Sequence, residues 1–189
     1  RDLAIIGTIQ LVALVWGTWL VYGQRTAAVV FAAGRFQTLS IEQVADAGER
    51  AVKMVADAAS HPPYFMVSLP ADGKKRFKLI AETAGSGVPM SMRGDLYQPI
   101  DAGNRMEILE SAIDIGQRVE GFEDDRATLD AFLARHGGSA ADYGFVPLSA
   151  RYRFLLLGLS RKDASVVGAL DIRPTVRIAP PPAAGGETK

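Results

Sequence analysis

The longest apolar stretch of the sequence lies at its start, where residues 3–23 carry no formal charge. Only Thr8, Gln10 and Thr18 interrupt it with polar groups. At 1.5 Å per residue this stretch forms a helix about 31 Å long, which matches the hydrocarbon core of a bilayer. The pattern therefore predicts one transmembrane helix over residues 1–25.

Aromatic residues crowd the end of this stretch, where Trp16, Trp19 and Tyr22 precede Arg25. Such rings favour the headgroup level of a membrane, and a following charge stops the span. The helix is therefore expected to end near Gly23. A signal peptide is the alternative, but we favour a retained anchor because the stretch exceeds a usual signal core and no cleavage motif follows.

Gln10 places one amide near the middle of the predicted span. Either a neighbouring membrane helix receives it or an isolated helix tolerates it, and both interpretations stay open. Because the sequence starts at Arg1 rather than Met, we expect an upstream portion. Two arginines, Arg25 and Arg35, lie on the domain side of the predicted span and one, Arg1, lies on the other side. Because positive charge is enriched on the cytoplasmic side, this count weakly favours a cytoplasmic domain.

Beyond the anchor, apolar runs at 27–31 and 36–39 flank Gly34 and predict a short hairpin or two strands. Ser40 and Gln43 form a capping-box signature, which predicts a helix starting there. Apolar positions at helical spacing continue this helix to about residue 59. They are Ile41, Val44, Ala45, Gly48, Val52, Val55 and Ala59.

The next pattern is a strand candidate at 64–69, between two proline-containing turns, followed by a short helix over 74–83. Residues 84–92 contain Gly85, Gly87 and Pro89, which predicts a loop. Two further helices are predicted from residues at helical spacing, the second ending at Gly137. These residues are Met106, Leu109, Ala112, Ile113 and Gly116, and then Leu129, Phe132 and Leu133.

Apolar segments at 151–160 and 166–172 flank a polar turn and predict a closing hairpin. The elements together number about five strands and three to four helices. They indicate an α+β fold, with one mixed domain over 26–179 after the N-terminal transmembrane helix. The Pro-, Ala- and Gly-rich residues 180–189 are predicted to be a disordered tail.

Composition narrows the function classes. Lys and Arg number 21 against 21 Asp and Glu, so a strong overall field for nucleic acid or acidic lipid is excluded. The chain has no cysteine and two histidines, His61 and His136, neither of them in a ligand motif. We therefore predict no metal and no cofactor.

Charge is nevertheless segregated along the chain. Residues 101–126 hold eight acids and three bases, whereas 151–177 hold six bases and two acids. These segments are either complementary docking surfaces or ordinary solvated faces, and we favour the second interpretation.

Short motifs for catalysis or ligand binding do not extend into full signatures. Gly85-Ser86-Gly87 lacks the Lys-Ser/Thr of a phosphate loop, and no serine lies in a Gly-x-Ser-x-Gly elbow. Arg93-Gly94-Asp95 spells an adhesion tripeptide, which we interpret as structural because Leu96 and Tyr97 follow it. No catalytic residue is assigned, and the chain is predicted not to be an enzyme.

Aromatic residues Tyr143, Phe145, Tyr152 and Phe154 cluster around the predicted hairpin. These residues either pack in the core, which is the commoner case, or form a groove or sheet edge to which a partner docks. Gln10, Trp16, Tyr152 and Phe154 are the candidate partner contacts.

Several segments follow one another in the order found in a known protein family: 2–6, 10–11, 13–14 with Gly17, Arg25 with 29–31 and 35–36, 68–70, 96–99, 145–151 and 167–174. Together they resemble the type IV pilin accessory proteins, the TfpX/TfpZ group. The resemblance covers most of the chain, as a divergent member or an N-terminally truncated fragment. Thr26 stands where the family usually has Pro, and Thr175 where an aromatic is expected.

This resemblance implies a bacterial inner-membrane protein with a periplasmic domain, which would overrule the charge count. It implies membrane helices ahead of this one, and a non-enzymatic accessory or chaperone-like role toward a cognate type IV pilin. The expected partners are that pilin, other membrane helices and the lipid bilayer. The alternative is a structural or sensory subunit of another inner-membrane complex with an extracytoplasmic domain.

Overall fold

The computed structural model describes residues 2–101 and 103–173. The chain divides into two compact units with the boundary after Asp101. Each unit combines helices with β-strands, so the α+β class is confirmed. The single domain over 26–179 stays a prediction, and the predicted tail at 180–189 lies outside the described residues.

The first unit begins with helix α1 (Asp2–Gly23), which ends where the aromatic belt predicted. Its stretch Ile5–Gly23 has a mean hydropathy of 1.7, and none of that stretch is buried. Within the described residues it is the one helix long and apolar enough to cross a membrane. A membrane anchor and a signal sequence both have this character.

Two strands follow, β1 (Thr26–Ala32) and β2 (Arg35–Ser40), and they pair antiparallel as the predicted hairpin. The two-residue turn between them has positive φ angles at Ala33 (51°) and Gly34 (76°). Two successive left-handed residues form the turn type whose twist fits a tight hairpin.

The predicted helix over 41–59 is two helices, α2 (Ile41–Asp46) and α3 (Glu49–Ala56). The predicted capping box is confirmed, with Gln43 N donating to Ser40 Oγ at 3.3 Å and Ser40 N to Gln43 Oε1 at 2.9 Å. The single helix was wrong because Gly48 adopts φ 103°, which breaks the helical backbone between α2 and α3.

Two more strands complete the sheet of this unit, β3 (Tyr64–Val67) and β4 (Tyr97–Pro99), in the order β4-β3-β1-β2. Strand β3 is parallel to β1, and β2, α2 and α3 lie between them in the chain. Strand β4 was not predicted because it has three residues and ends in a proline.

Between β3 and β4 lies helix α4 (Gly73–Ser86), followed by two short 3-10 turns, Met90–Met92 and Gly94–Leu96. The predicted loop over 84–92 is therefore partly wrong. Helix α4 continues until Gly87, which takes a left-handed φ of 70° and ends it.

The core of the first unit lies between its sheet and helices α2 and α3. Tyr97 is fully buried and stacks on Phe65 with ring centroids 5.7 Å apart. Its hydroxyl donates to the carbonyl of Ser91. The predicted burial beside the Arg-Gly-Asp tripeptide is thereby confirmed.

The second unit contains helices α5 (Arg105–Leu109), α6 (Ile115–Val119) and α7 (Glu123–His136). The helix predicted over 106–116 was wrong, because the Ile113 N–H donates to the Phe145 carbonyl at 2.8 Å instead of continuing a helix. Asp114 then caps α6 by accepting from Gly116 N at 2.9 Å.

The sheet of the second unit is an antiparallel meander of β5 (Tyr143–Ser149), β6 (Phe154–Ser160) and β7 (Val166–Leu170). The predicted closing hairpin, β6 with β7, is confirmed. Strand β5 was missed because Gly144 and Pro147 weaken its strand pattern. With β4 and β5 the described strands number seven rather than about five, and six α-helices rather than three to four follow α1.

Phe132 of α7 is the centre of the second core. Its ring lies 5.3 Å from that of Tyr143 and 5.8 Å from that of Phe145, in edge-to-face contacts. On the strands, Gly158 and Gly168 face one another in register beneath this ring. A Cβ on Gly158 would come within 2.7 Å of Phe132 Cζ, so the glycine permits the close approach of α7.

Candidate functional surfaces

The four candidate partner contacts lie on two separate surfaces, each in its own unit. Gln10 and Trp16 are exposed on α1, with Trp16 65% accessible. Tyr152 and Phe154 lie at the start of β6 in the second unit.

A shallow groove runs along α1 on the face that also carries Gln10. Ala13 and Gly17 are four residues apart on its floor, and a Cβ on Gly17 would meet nothing within 4 Å. Small residues at this spacing let another helix approach closely, and an amide beside them can bond across the interface. The face is therefore suited to packing against a membrane helix.

The end of α1 carries the aromatic belt. The rings of Trp16 and Trp19 lie 5.7 Å apart, and the Arg25 guanidinium lies 5.4 Å from the Tyr22 ring centroid. Aromatic rings beside a cation suit the headgroup region, where apolar and polar surroundings meet.

The second surface is the tip of the β5–β6 hairpin, where a tight turn joins Ser149 to Phe154. The Ala150 N–H donates to the Arg153 carbonyl at 2.9 Å, which closes the turn. Tyr152 is 78% accessible and Phe154 55%. Of the four aromatics near this hairpin, Tyr143 and Phe145 are therefore core residues and the other two are surface residues.

Cations surround these two exposed rings. The Arg151 guanidinium lies 5.5 Å from the Tyr152 ring centroid. Arg153 Nη1 lies 3.9 Å from Asp171 Oδ2, with both side chains largely exposed. The tip combines aromatic surface with positive charge, a composition enriched in protein interfaces.

A third surface was not foreseen from the sequence. Helix α4 exposes Phe77 to 75% and Ile80 to 44%, beside four basic residues in its first half. The helical spacing of these apolar residues was visible in the sequence. Spacing alone does not tell a buried stripe from an exposed one, because that depends on what packs against it.

The Arg93-Gly94-Asp95 tripeptide is built into the first unit. Arg93 Nη2 lies 2.8 Å from Asp95 Oδ2, and this guanidinium lowers the pKa of the Asp95 carboxyl. Arg93 Nη1 also donates to the Thr83 hydroxyl at 3.2 Å. The contacts agree with the structural interpretation of this motif.

The second unit contains a cavity of about 490 Å³, and its lining includes Asp114 and Arg161. Its polar side chains already serve the fold: Asp114 caps α6, and Arg161 Nε donates to the Tyr143 carbonyl at 3.0 Å. Among the described residues, no group of three or more His, Cys, Asp or Glu is placed to hold a metal ion.

The chain matches no protein-family model, no curated protein and no solved structure.

Proposed function

We propose that the chain is a membrane-anchored, non-enzymatic accessory or chaperone-like protein that assists a cognate type IV pilin during pilus assembly. In this proposal α1 is the last membrane helix of the full protein. The two units lie on the periplasmic side of the bacterial inner membrane. The resemblance of ordered segments to the pilin accessory family supports this assignment.

The observation that carries the proposal is the exposure of α1. A helix that is apolar on all sides and buried by nothing in the described chain would be costly in water, because its whole surface would face solvent. A bilayer removes that cost, and the face with Gln10, Ala13 and Gly17 then suits a neighbouring helix. Pilins before assembly are themselves membrane proteins with such a helix.

The hairpin tip supports a second contact outside the membrane. Tyr152 and Phe154 supply rigid aromatic surface beside Arg151 and Arg153. Confinement of both partners to one membrane raises their effective concentration, so two weak contacts suffice for association.

The test is site-specific photocrosslinking in the native host, with the crosslinker at Gln10 or at Tyr152 and mass spectrometry of the adducts. Adducts between either position and one pilin are expected. Leu11, which is exposed on a different face of α1, is the control for Gln10. Lys162, in the turn at the opposite end of β6, is the control for Tyr152.

Pilin adducts at Gln10 or Tyr152 that are absent at the control positions support the proposal. If neither position yields a pilin while Gln10 adducts contain another membrane protein, the accessory role is overturned. In that case the second candidate is favoured, a structural or sensory subunit of a different inner-membrane complex. The small residues on the Gln10 face of α1 can pack against any membrane helix and do not require a pilin.

A further inference from the structure

Helix α4 is attached to its unit along one side only. Thr83 is buried and Leu79 is half-buried, whereas the other residues from Gly73 to Glu82 are exposed. Successive helical residues are about 100° apart, so Phe77 points almost opposite to Leu79. Phe77, Ile80, Ala81 and Ala84 therefore form one apolar stripe facing solvent, called the α4 stripe below.

Basic residues flank the α4 stripe. Lys74 and Lys78 lie along one side of it and Arg76 lies on the other, whereas Lys75 points almost opposite to Phe77. With Glu82 as its one acid, α4 carries a net charge of +3 (four bases minus one acid) in a chain whose formal net charge is zero. The helix is thus a local concentration of positive charge around an apolar surface.

Two features of α4 oppose its own stability. Three cations occupy its first turn, at the positive end of the helix dipole, where the one acid is the capping residue Asp72. A phenylalanine ring that is 75% exposed also forgoes the free energy of burial. Local rules are broken in this way at sites under functional constraint, and both violations favour an occupant that is anionic and apolar.

We propose that α4 is an interfacial helix that binds the headgroup region of an anionic membrane. The α4 stripe enters the acyl boundary and the flanking lysines and arginine contact lipid phosphates. This inference rests on the membrane anchoring of α1 proposed above and is independent of the pilin.

The position of α4 within the first unit fits this role. Strand β1 leaves α1 at Thr26, and parallel β3 ends at Val67, level with the far end of β1. Seven strand residues span about 20 Å, so α4 is connected about 20 Å along the sheet from the end of α1. In this proposal the sheet lies along the bilayer surface, so that both elements reach lipid, and the tether at α1 raises the effective concentration of lipid at α4.

The convex shape of the α4 stripe also favours lipid over a protein partner. The stripe lies on the outer side of a helix and is one residue wide at Phe77, which is 75% exposed. Acyl chains adapt to such a shape, whereas a protein partner needs a matched surface.

The test uses the full chain in lipid nanodiscs. The chain has no cysteine, so a single nitroxide label can be placed at Phe77→Cys without other changes. One set of discs contains phosphatidylglycerol with phosphatidylcholine, and the other contains phosphatidylcholine alone. Collision of the label with oxygen, which enters lipid, is compared with collision with a water-soluble nickel chelate.

Two control labels separate insertion of the α4 stripe from insertion of α1 and from burial of the rest of α4. Leu14→Cys reports whether α1 spans the disc, and Glu82→Cys lies on α4 away from the stripe. The expected result is oxygen-dominated collision at positions 14 and 77, with position 82 accessible to nickel. Lys74→Gln is expected to lower the ratio of inserted to free label at position 77 about fivefold, and Lys74→Arg to preserve it.

Nickel-accessible label at position 77 in the anionic discs, with position 14 in lipid, overturns the inference and leaves the anchor intact. Equal insertion in both kinds of disc overturns the role of anionic headgroups. Spin–spin coupling between copies at position 77 indicates a self-association surface and also overturns it. If position 14 is outside lipid, both this inference and the anchor fail.

Discussion

Gly94 shows how closely the first unit is packed around a single residue. A Cβ at this position would overlap the carbonyl oxygen of Ala47 and come within 2.7 Å of the Ala51 Cβ. Neither obstacle is the end of a flexible side chain, because one is the backbone that follows α2 and the other is a Cβ of α3. The middle residue of the Arg-Gly-Asp tripeptide is therefore fixed by packing.

Gly94→Ala is expected to destabilise the first unit by about 2–3 kcal/mol, because the helices must shift to admit the methyl group. The matched control is Gly85→Ala, where a Cβ meets nothing within 4 Å and a helical residue gains up to about 1 kcal/mol. Urea unfolding followed by circular dichroism measures both. Equal stability of the two variants would contradict the packing argument.

The Arg93–Asp95 pair makes stability depend on pH. Because Arg93 lowers the pKa of Asp95 in the folded state, the pair stabilises the fold above the unfolded pKa of Asp95. That contribution disappears as the pH falls through the lowered folded pKa. Asp95→Asn is therefore expected to reduce the free energy of unfolding near neutral pH by about 0.5 kcal/mol, as exposed pairs do.

The measurement is urea unfolding of the wild type and Asp95→Asn, near neutral pH and again below the folded pKa of Asp95. The difference in the free energy of unfolding should vanish in acid, because residue 95 is then uncharged both in the wild type, where Asp95 is protonated, and in the variant. Arg93→Gln provides the second arm of a double-mutant cycle. A difference that persists unchanged in acid would show that charge is not its cause.

At the scale of elements, α7 approaches β6 and β7 through the contact of Phe132 with Gly158. Gly158→Ala is expected to destabilise the second unit by about 1–3 kcal/mol, because the added methyl group overlaps the ring. Phe132→Leu removes the Cζ atom involved and is expected to cost about 1–2 kcal/mol through lost packing.

The double variant tests the contact itself. Since leucine leaves room for the new methyl group, Gly158→Ala combined with Phe132→Leu should be more stable than the sum of the single changes by about 1 kcal/mol. Chemical unfolding of all four proteins gives this coupling. Strict additivity would show that the methyl group is accommodated in another way.

The helix predicted across 106–116 shows how a contact distant in sequence overrides a local pattern, whereas the helix predicted over 41–59 was broken locally, at Gly48. The helix predicted across 106–116 is interrupted where Ile113 bonds to β5. Strand β5 contains Gly144, which leaves room for Leu109, since a Cβ on this glycine would lie 2.5 Å from Leu109 Cδ2. The elements that were predicted correctly, such as the β1–β2 hairpin and the Ser40 cap, depend on neighbours in sequence.

At the scale of the whole molecule, both tryptophans of the chain, Trp16 and Trp19, lie on α1. Tryptophan emission therefore reports the anchor separately from the rest of the chain. In liposomes we expect brominated lipids to quench this emission, because the proposed anchor would place the rings at the headgroup level.

Urea should then unfold the two units, seen by circular dichroism, while tryptophan emission stays constant, since the bilayer keeps α1 helical. The same chain with Trp16 and Trp19 changed to Phe supplies the background signal. A red shift of the emission that follows the circular dichroism transition would show that α1 is not held by lipid.

The sequence by itself determined the apolar helix and its end at Gly23, the α+β class, the first hairpin and the last one. These features follow from hydrophobic run length, period and turn residues, which are local properties. Tertiary structure alone decided that Tyr143 and Phe145 are core while Tyr152 and Phe154 are surface, and that the α4 stripe is exposed. Burial depends on which elements pack together, and that is set by contacts between residues far apart in the chain.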